Sequence, residues 1–182
     1  VNKADWSGNT PLHMASMKGH KDVVSILLRA GADVNKAGWS GNTPLYLAYK
    51  GNYVNIMYLL IKAGADMNNH YKHCMLIEAC KRNNIKMVKL LIEAGANVNY
   101  YEYNDEIMRE TPQDTPLHVA CTYNLTEIAS LLIEAGANAD LLNEKDETPL
   151  HIACKRGYSY IIKLIIDAGA ATNLKQKRRD GA

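Results

Sequence analysis

The residues with the most chemical potential in this chain come in pairs: His118-x-x-Cys121 recurs 33 residues later as His151-x-x-Cys154. Imidazole and thiolate are both zinc ligands, and two such pairs brought together would supply four donors at about 2.0–2.3 Å from one point. The same cysteines and histidines, joined by an aspartate, could also be assembled on paper into a nucleophile, a base and an orienting acid. A third chemistry is non-covalent. Trp6 and Trp39 stand in identical Trp-Ser-Gly-Asn stretches, and basic residues recur at Lys18, Lys50, Lys81, Arg82, Lys155 and Arg156. Tryptophan and arginine are the side chains on which protein interfaces most often anchor.

The elements that must carry these residues are copies of one unit. The triplet Ala-Gly-Ala begins at residues 30, 63, 94, 135 and 168, and an alanine stands 15 residues before each, at 15, 48, 79, 120 and 153. Successive copies lie 33, 31, 41 and 33 residues apart, so every change of length falls between Ala-Gly-Ala and the next copy. The helical part is therefore fixed in length and the connector is not. Each copy predicts two helices. Thr10 is a good N-cap and Pro11 a good first helical residue, because the missing proline N–H would have no partner there. Gly19 stops the first helix by accepting a left-handed conformation, and Asn52, the next most tolerant residue type, replaces it in the second copy. Val23, Val24, Ile26, Leu27 and Leu28 recur at helical spacing and predict a second helix ending at Gly31, with the Ile26-Leu27-Leu28 run building the stack. The third copy is eroded: Lys72 replaces the tip glycine, its connector is two residues short, and the weakest local stability is expected there. Eight extra residues fall between Asn99 and Thr115.

The repeat already accounts for the metal-like pairs. Each histidine is the fourth residue of a Thr-Pro-Leu-His motif and each cysteine follows the invariantly spaced alanine, so both have a place in the stack. No metal or cofactor is expected. The chain has no glycine-rich phosphate loop, Gly-x-Ser-x-Gly elbow or His-Glu-x-x-His, and an enzyme is not expected either. Cys80, Cys121 and Cys154 are one repeat apart, about 8–10 Å for packed helices. A disulfide needs Cα atoms within roughly 7 Å. Reduced, buried thiols are expected at all three. A net charge of +2 gives no bulk pull toward nucleic acid or membrane. No apolar run approaches the ~20 residues of a membrane span, and no leader opens the chain, which points to a cytoplasmic protein. Lys175-Gln-Lys-Arg-Arg179 is a short basic cluster of nuclear-import type, more simply a solvated connector.

Thr10-Pro11-Leu12-His13-Met14-Ala15, Thr115-Pro116-Leu117-His118-Val119-Ala120 and Thr148-Pro149-Leu150-His151-Ile152-Ala153, at a period near 33, resemble ankyrin repeats. Thr43-Pro44-Leu45-Tyr46-Leu47-Ala48 differs by one exchange, and the resemblance runs along essentially the full chain. It implies an all-α repeat solenoid of stacked helix-turn-helix units with β-hairpin-like tips. The repeats are placed at 5–37, 38–68, 69–109 including the inserted connector, 110–142 and 143–175. Residues 1–4 match 34–37 and, with 176–182, read as partial flanking repeat or tail of a longer array. The resemblance further implies histidines that tie neighbouring tips by hydrogen bonds, and a use in holding other proteins on a concave face of tips and first helices.

Positions the repeat leaves free on that face are the candidate partner-binding residues. They are Trp6, Asn9, Met17 and Lys18 in the first copy, Trp39, Asn42 and Lys50 in the second, and Tyr71, His73, Lys81 and Arg82 in the third. Tyr101 in the insertion, Tyr123 in the fourth copy and Lys155 and Arg156 in the fifth complete the set. Six of the ten helix-end residues on this face are basic, with an aromatic rim toward the N-terminus and a more acidic rim toward the C-terminus. The expected ligand is an acidic protein or peptide segment with an aromatic or apolar anchor, held by a monomeric module; the alternative is a structural spacer. Nucleic acid is disfavoured by the low net charge, although basic and aromatic side chains together can hold a strand. Asn35 and Asn68 resemble sites that asparaginyl hydroxylases modify in such repeats, the plainer role of each asparagine being to brace the tip.

Overall fold

The structure, a computed structural model of the 182-residue chain, describes residues 1–66, 71–101 and 113–180, except for the side chains of 71–74 and 170–180. Among these residues there are ten α-helices and no strand: α1 (Pro11–Lys18), α2 (Lys21–Arg29), α3 (Pro44–Lys50), α4 (Val54–Lys62), α5 (Tyr71–Lys81), α6 (Ile85–Glu93), α7 (Pro116–Thr122), α8 (Thr126–Glu134), α9 (Pro149–Arg156) and α10 (Ser159–Asp180). The chain forms two compact units, Val1–Lys72 and His73–Ala182. In the first, α1 packs on α2 and α3, and α4 packs on α2 and α3. In the second, α8 packs on α6, α7 and α10, and α9 on α7 and α10.

Threonine and proline start four of the first helices as the sequence predicts: Thr10, Thr43, Thr115 and Thr148 are extended N-caps, each followed by proline. Gly19 is left-handed, with φ of 79°. Asn52, Asn83 and Asn124 take the same turn in later copies with φ of 58°, 50° and 55°. Asparagine tolerates this region because its short polar side chain bonds locally, so the turn survives without glycine.

The tips close as hairpin-like turns without a strand ladder. Asp5 N–H donates to Asn9 O at 2.9 Å and Gly8 N–H to Asp5 O at 3.0 Å. The pattern repeats at Gly38, Gly41 and Asn42, and at Asn143, Asp146 and Glu147.

A second register of bonds joins neighbouring repeats. The Asn35 amide donates to Gly64 O at 3.1 Å while its oxygen accepts Asp66 N–H at 2.7 Å. Asn2 does the same for Gly31 and Asp33, and Asn99 for Gly136 and Asn138. The brace expected of these asparagines is thus a two-ended clamp on the next Ala-Gly-Ala turn. Replacing Asn35 by aspartate keeps the acceptor and removes the donor, and should destabilise the N-terminal unit by about 1 kcal/mol in urea unfolding.

Three expectations need correction. Ala168-Gly169-Ala170 does not end the last helix; α10 runs on to Asp180, through the stretch read as a connector. The clamp position for this turn, 41 residues beyond Asn99, is Asp140, which has no amide to donate to Gly169 O. Cys154 is exposed rather than buried, while Cys80 and Cys121 are buried free thiols. Ile26, assigned to the stack, is 58% exposed, because α2 meets α1 and α4 on its other sides and this side is open. In the third copy α5 already begins at Tyr71, so Lys72, where the first two tips carry glycine, is helical; residues 67–70 and most of the insertion lie outside the described residues.

Candidate functional site

Two signature histidines, His13 and His118, are buried and structural, and their geometry shows why; His151 is exposed and bonds Thr148 of its own tip. Thr115 N–H donates to His118 Nδ1 at 3.1 Å, and His118 Nε2 lies 2.9 Å from Glu147 O in the next tip. A carbonyl can only accept, so Nε2 carries the proton and Nδ1 the lone pair. His13 repeats the arrangement with Thr10 N–H and Asn42 O, at 3.1 Å for each bond. Burial holds both imidazoles below their ordinary pKa, against the pull of carbonyl bonds and of Asp5 for His13, and of Asp114 and Glu147 for His118. Both nitrogens of His118 are engaged, and the buried Cys121 thiol is pushed up to about 12 by desolvation. Engaged nitrogens and a desolvated, protonated thiol are both poorly disposed to bind a metal. Among the described residues no group of three or more His, Cys, Asp or Glu is disposed to hold a metal ion.

The non-covalent candidates divide between the two units. In the N-terminal unit Trp6 and Trp39 are 85% and 79% exposed on tips that share one conformation, with Gly8 and Gly41 at φ of 76° and 74°. The Trp39 indole rests on the first tip: a β-carbon on Gly8 would lie 2.5 Å from Trp39 Cδ1. Glycine is therefore needed at position 8 both for its left-handed φ and for the ring above it. Met17, Lys18 and Lys50 are exposed, and Asn9 and Asn42 are half-buried. Asn42 is committed in its backbone, whose carbonyl accepts from His13 and from Gly38 N–H.

Two aromatic features were not anticipated. Tyr46, in the histidine position, stacks with Tyr49 at 6.4 Å between centroids, and Lys50 Nζ lies 6.0 Å above its ring. Tyr53 fills the space beside Gly19 and Gly51, where β-carbons would meet its ring at 2.6 and 2.2 Å. The signal was present in the sequence only as a tyrosine two residues after the helix-end Gly51, and a ring's direction is not a property of periodicity.

In the C-terminal unit Lys81, Arg82, Tyr123, Lys155 and Arg156 are exposed and Tyr101 is half-buried. The basic floor is partly self-neutralised: Arg82 Nε bonds Glu78 Oε1 at 2.7 Å, one turn away, and Lys155 is paired with Glu147. The Lys155 bond also holds the Glu147 carboxyl below its usual range. Asn143, missed by sequence reasoning, is nearly buried and shapes the fifth tip. Its oxygen accepts Lys145 N–H and Glu147 N–H at 3.0 and 3.1 Å, and its amide donates to Asp114 Oδ1 at 2.9 Å. The side chains of Tyr71 and His73, and Asn68 entirely, lie outside the described residues.

Comparison with known families agrees with this geometry. The model for ankyrin repeats in three copies matches residues 36–102 and 101–176, and the single ankyrin repeat matches residues 7–39. The chain belongs to the ankyrin-repeat family. It is similar to the crystal structure of an ankyrin repeat domain from Acinetobacter baumannii AYE, at 32% sequence identity and a TM-score of 0.74, over 93% of this chain and 86% of that one. No curated protein matches it.

Ankyrin repeats generally serve as protein–protein interaction modules, and membership assigns the buried histidines, the asparagine clamps and the small alanines to the fold. What distinguishes this ankyrin-repeat chain is what those residues leave on the surface. Among the described residues no helix is long and apolar enough to cross a membrane.

Proposed function

We propose that the chain is a non-catalytic module that holds a protein or peptide partner on its tips and first helices, and that the bound segment is acidic with an aromatic or apolar anchor. The observation that carries this reading is the pair of exposed tryptophans on two tips of the same conformation, flanked on the first helices by Met17, Lys18 and Lys50. Large aromatic surface left in water is available for burial against a partner, and tryptophan is enriched among interface anchors. The exposed Lys18 and Lys50 beside them supply the charge preference.

Trp39→Ala removes the anchor and the ring above Gly8 but touches none of the buried core of the helices. Partner retained from source lysate should fall at least tenfold, about 1.4 kcal/mol, with an unchanged far-UV melting curve, and retention by the wild type should weaken as salt is raised. Equal capture by Trp39→Ala and by a Lys81, Arg82 and Arg156 triple variant would instead make the chain a spacer.

A further inference from the structure

Between the fifth tip and the C-terminal ends of α7 and α9 the second unit holds a cleft of about 220 Å³, floored by the buried Ile152. Its carboxylates are already engaged: Asp114 accepts the Asn143 amide, and Glu147 takes Lys155. Of its three cations, Lys145 and Arg156 are exposed and make no ion pair among the described residues. The cleft is thus a positively biased notch that is neutralised on one side by a carboxylate of its own chain.

We infer that this cleft receives one acidic side chain of a peptide partner, whose carboxylate displaces Glu147 from Lys155 and is completed by Arg156 and Lys145. The inference rests on the partner-binding reading above and assigns to it a place and a competitor. Three physical points support it. The Lys155 side chain is 70% exposed although that of Glu147 is only 18% exposed; an ion pair reached by solvent on the lysine side is worth ~1 kcal/mol, so exchanging one carboxylate for another there costs little. Arginine offers a planar fork that a carboxylate fills with two parallel bonds, a gain Glu147 does not take while it is held by Lys155. Drug-sized ligands need about 300–1,000 Å³, whereas this volume suits a single side chain, whose methylenes would lie on Ile152.

The test titrates the ¹⁵N-labelled full chain with acetyl-Gly-Leu-Glu-Glu-Leu-Gly-amide and with its Gln-Gln counterpart. The glutamate peptide should shift the amides of Thr122, Lys145 and Arg156, and the glutamine peptide should not. Arg156→Gln should weaken binding about fivefold or more, and Glu147→Gln, which removes the built-in competitor, should strengthen it about threefold. Far-UV CD checks that both variants keep the wild-type fold. Equal shifts with both peptides, shifts confined to other residues, or an affinity indifferent to both substitutions would overturn the inference. If the cleft fails while Trp39→Ala still abolishes partner capture, the partner-binding reading stands without it. If Trp39→Ala leaves capture intact, that reading fails whatever the cleft does.

Discussion

Ile56→Ala is expected to destabilise the N-terminal unit by about 3 kcal/mol, whereas Val23→Ala, at the same position one repeat earlier, should cost under about 1 kcal/mol. Ile56 is 1% exposed and Val23 45%. The two share one register position in the second helices of successive repeats. They differ in cover: α4 packs on α2, and the equivalent side of α2 is open. Ile128 and Ile161, the same position in α8 and α10, are likewise buried, in helices that pack on α6 and α8 respectively. Deleting the methylenes of Ile56 loses transfer free energy and leaves a cavity, while at Val23 water already reaches the side chain. Urea unfolding followed by far-UV CD measures both; comparable losses would show that burial at this register position is not what stabilises the stack.

His118→Ala should cost the C-terminal unit roughly 2–4 kcal/mol, because it strands Thr115 N–H and cuts the tie to the next tip as well as removing a buried ring. Thr115 N–H loses its acceptor, and a buried polar group left unpaired costs about 1–3 kcal/mol, while the Glu147 carbonyl loses one of two donors and keeps Asn143 N–H. The histidine also sets an acid dependence. Its folded-state pKa lies below the ordinary value, so on acidification the unfolded chain binds the proton first. Stability is therefore full above pH ~6.5 and is lost as pH falls through the lower folded-state value. A proton on Nδ1 would face the Thr115 N–H, which is the structural form of the same statement. Thermal melts at pH 7 and pH 5 should show a loss in wild type that shrinks in His118→Gln. His13, shifted in the same direction by its own burial, gives the N-terminal unit a parallel dependence.

Much of the scaffold was legible because it repeats. Thr10, Pro11 and Gly19 state the start and stop of a helix by local chemistry alone, and copies of them state it again. Asn52, Asn83 and Asn124 fit the same turn because asparagine's tolerance of positive φ is intrinsic to the residue. The partner surface was legible only by subtraction, as what remained once folding residues were assigned. Subtraction named Trp6 and Trp39 as exposed, but it counted Lys155 and Arg82 as free cations when each is paired with a carboxylate of its own chain.

The misjudged residues share a cause. Ile26 carries the same periodic signal as Leu59, and nothing in that signal says whether a helix lies against it. Cys154 follows the same alanine as Cys80 and Cys121 yet is exposed, and Asp140 differs from Asn99 by one amide while α10 runs past its expected end. Residue identity and spacing determine what a segment can do with its own backbone within a turn or two: where helices begin, which face is apolar, which turns accept a left-handed residue. Burial, pairing across 29 or more residues, as between His118 and Glu147 or Asn35 and Gly64, and the open side of α2 depend on which surfaces meet. Those are properties of packed neighbours, and only the tertiary structure of each unit decided them.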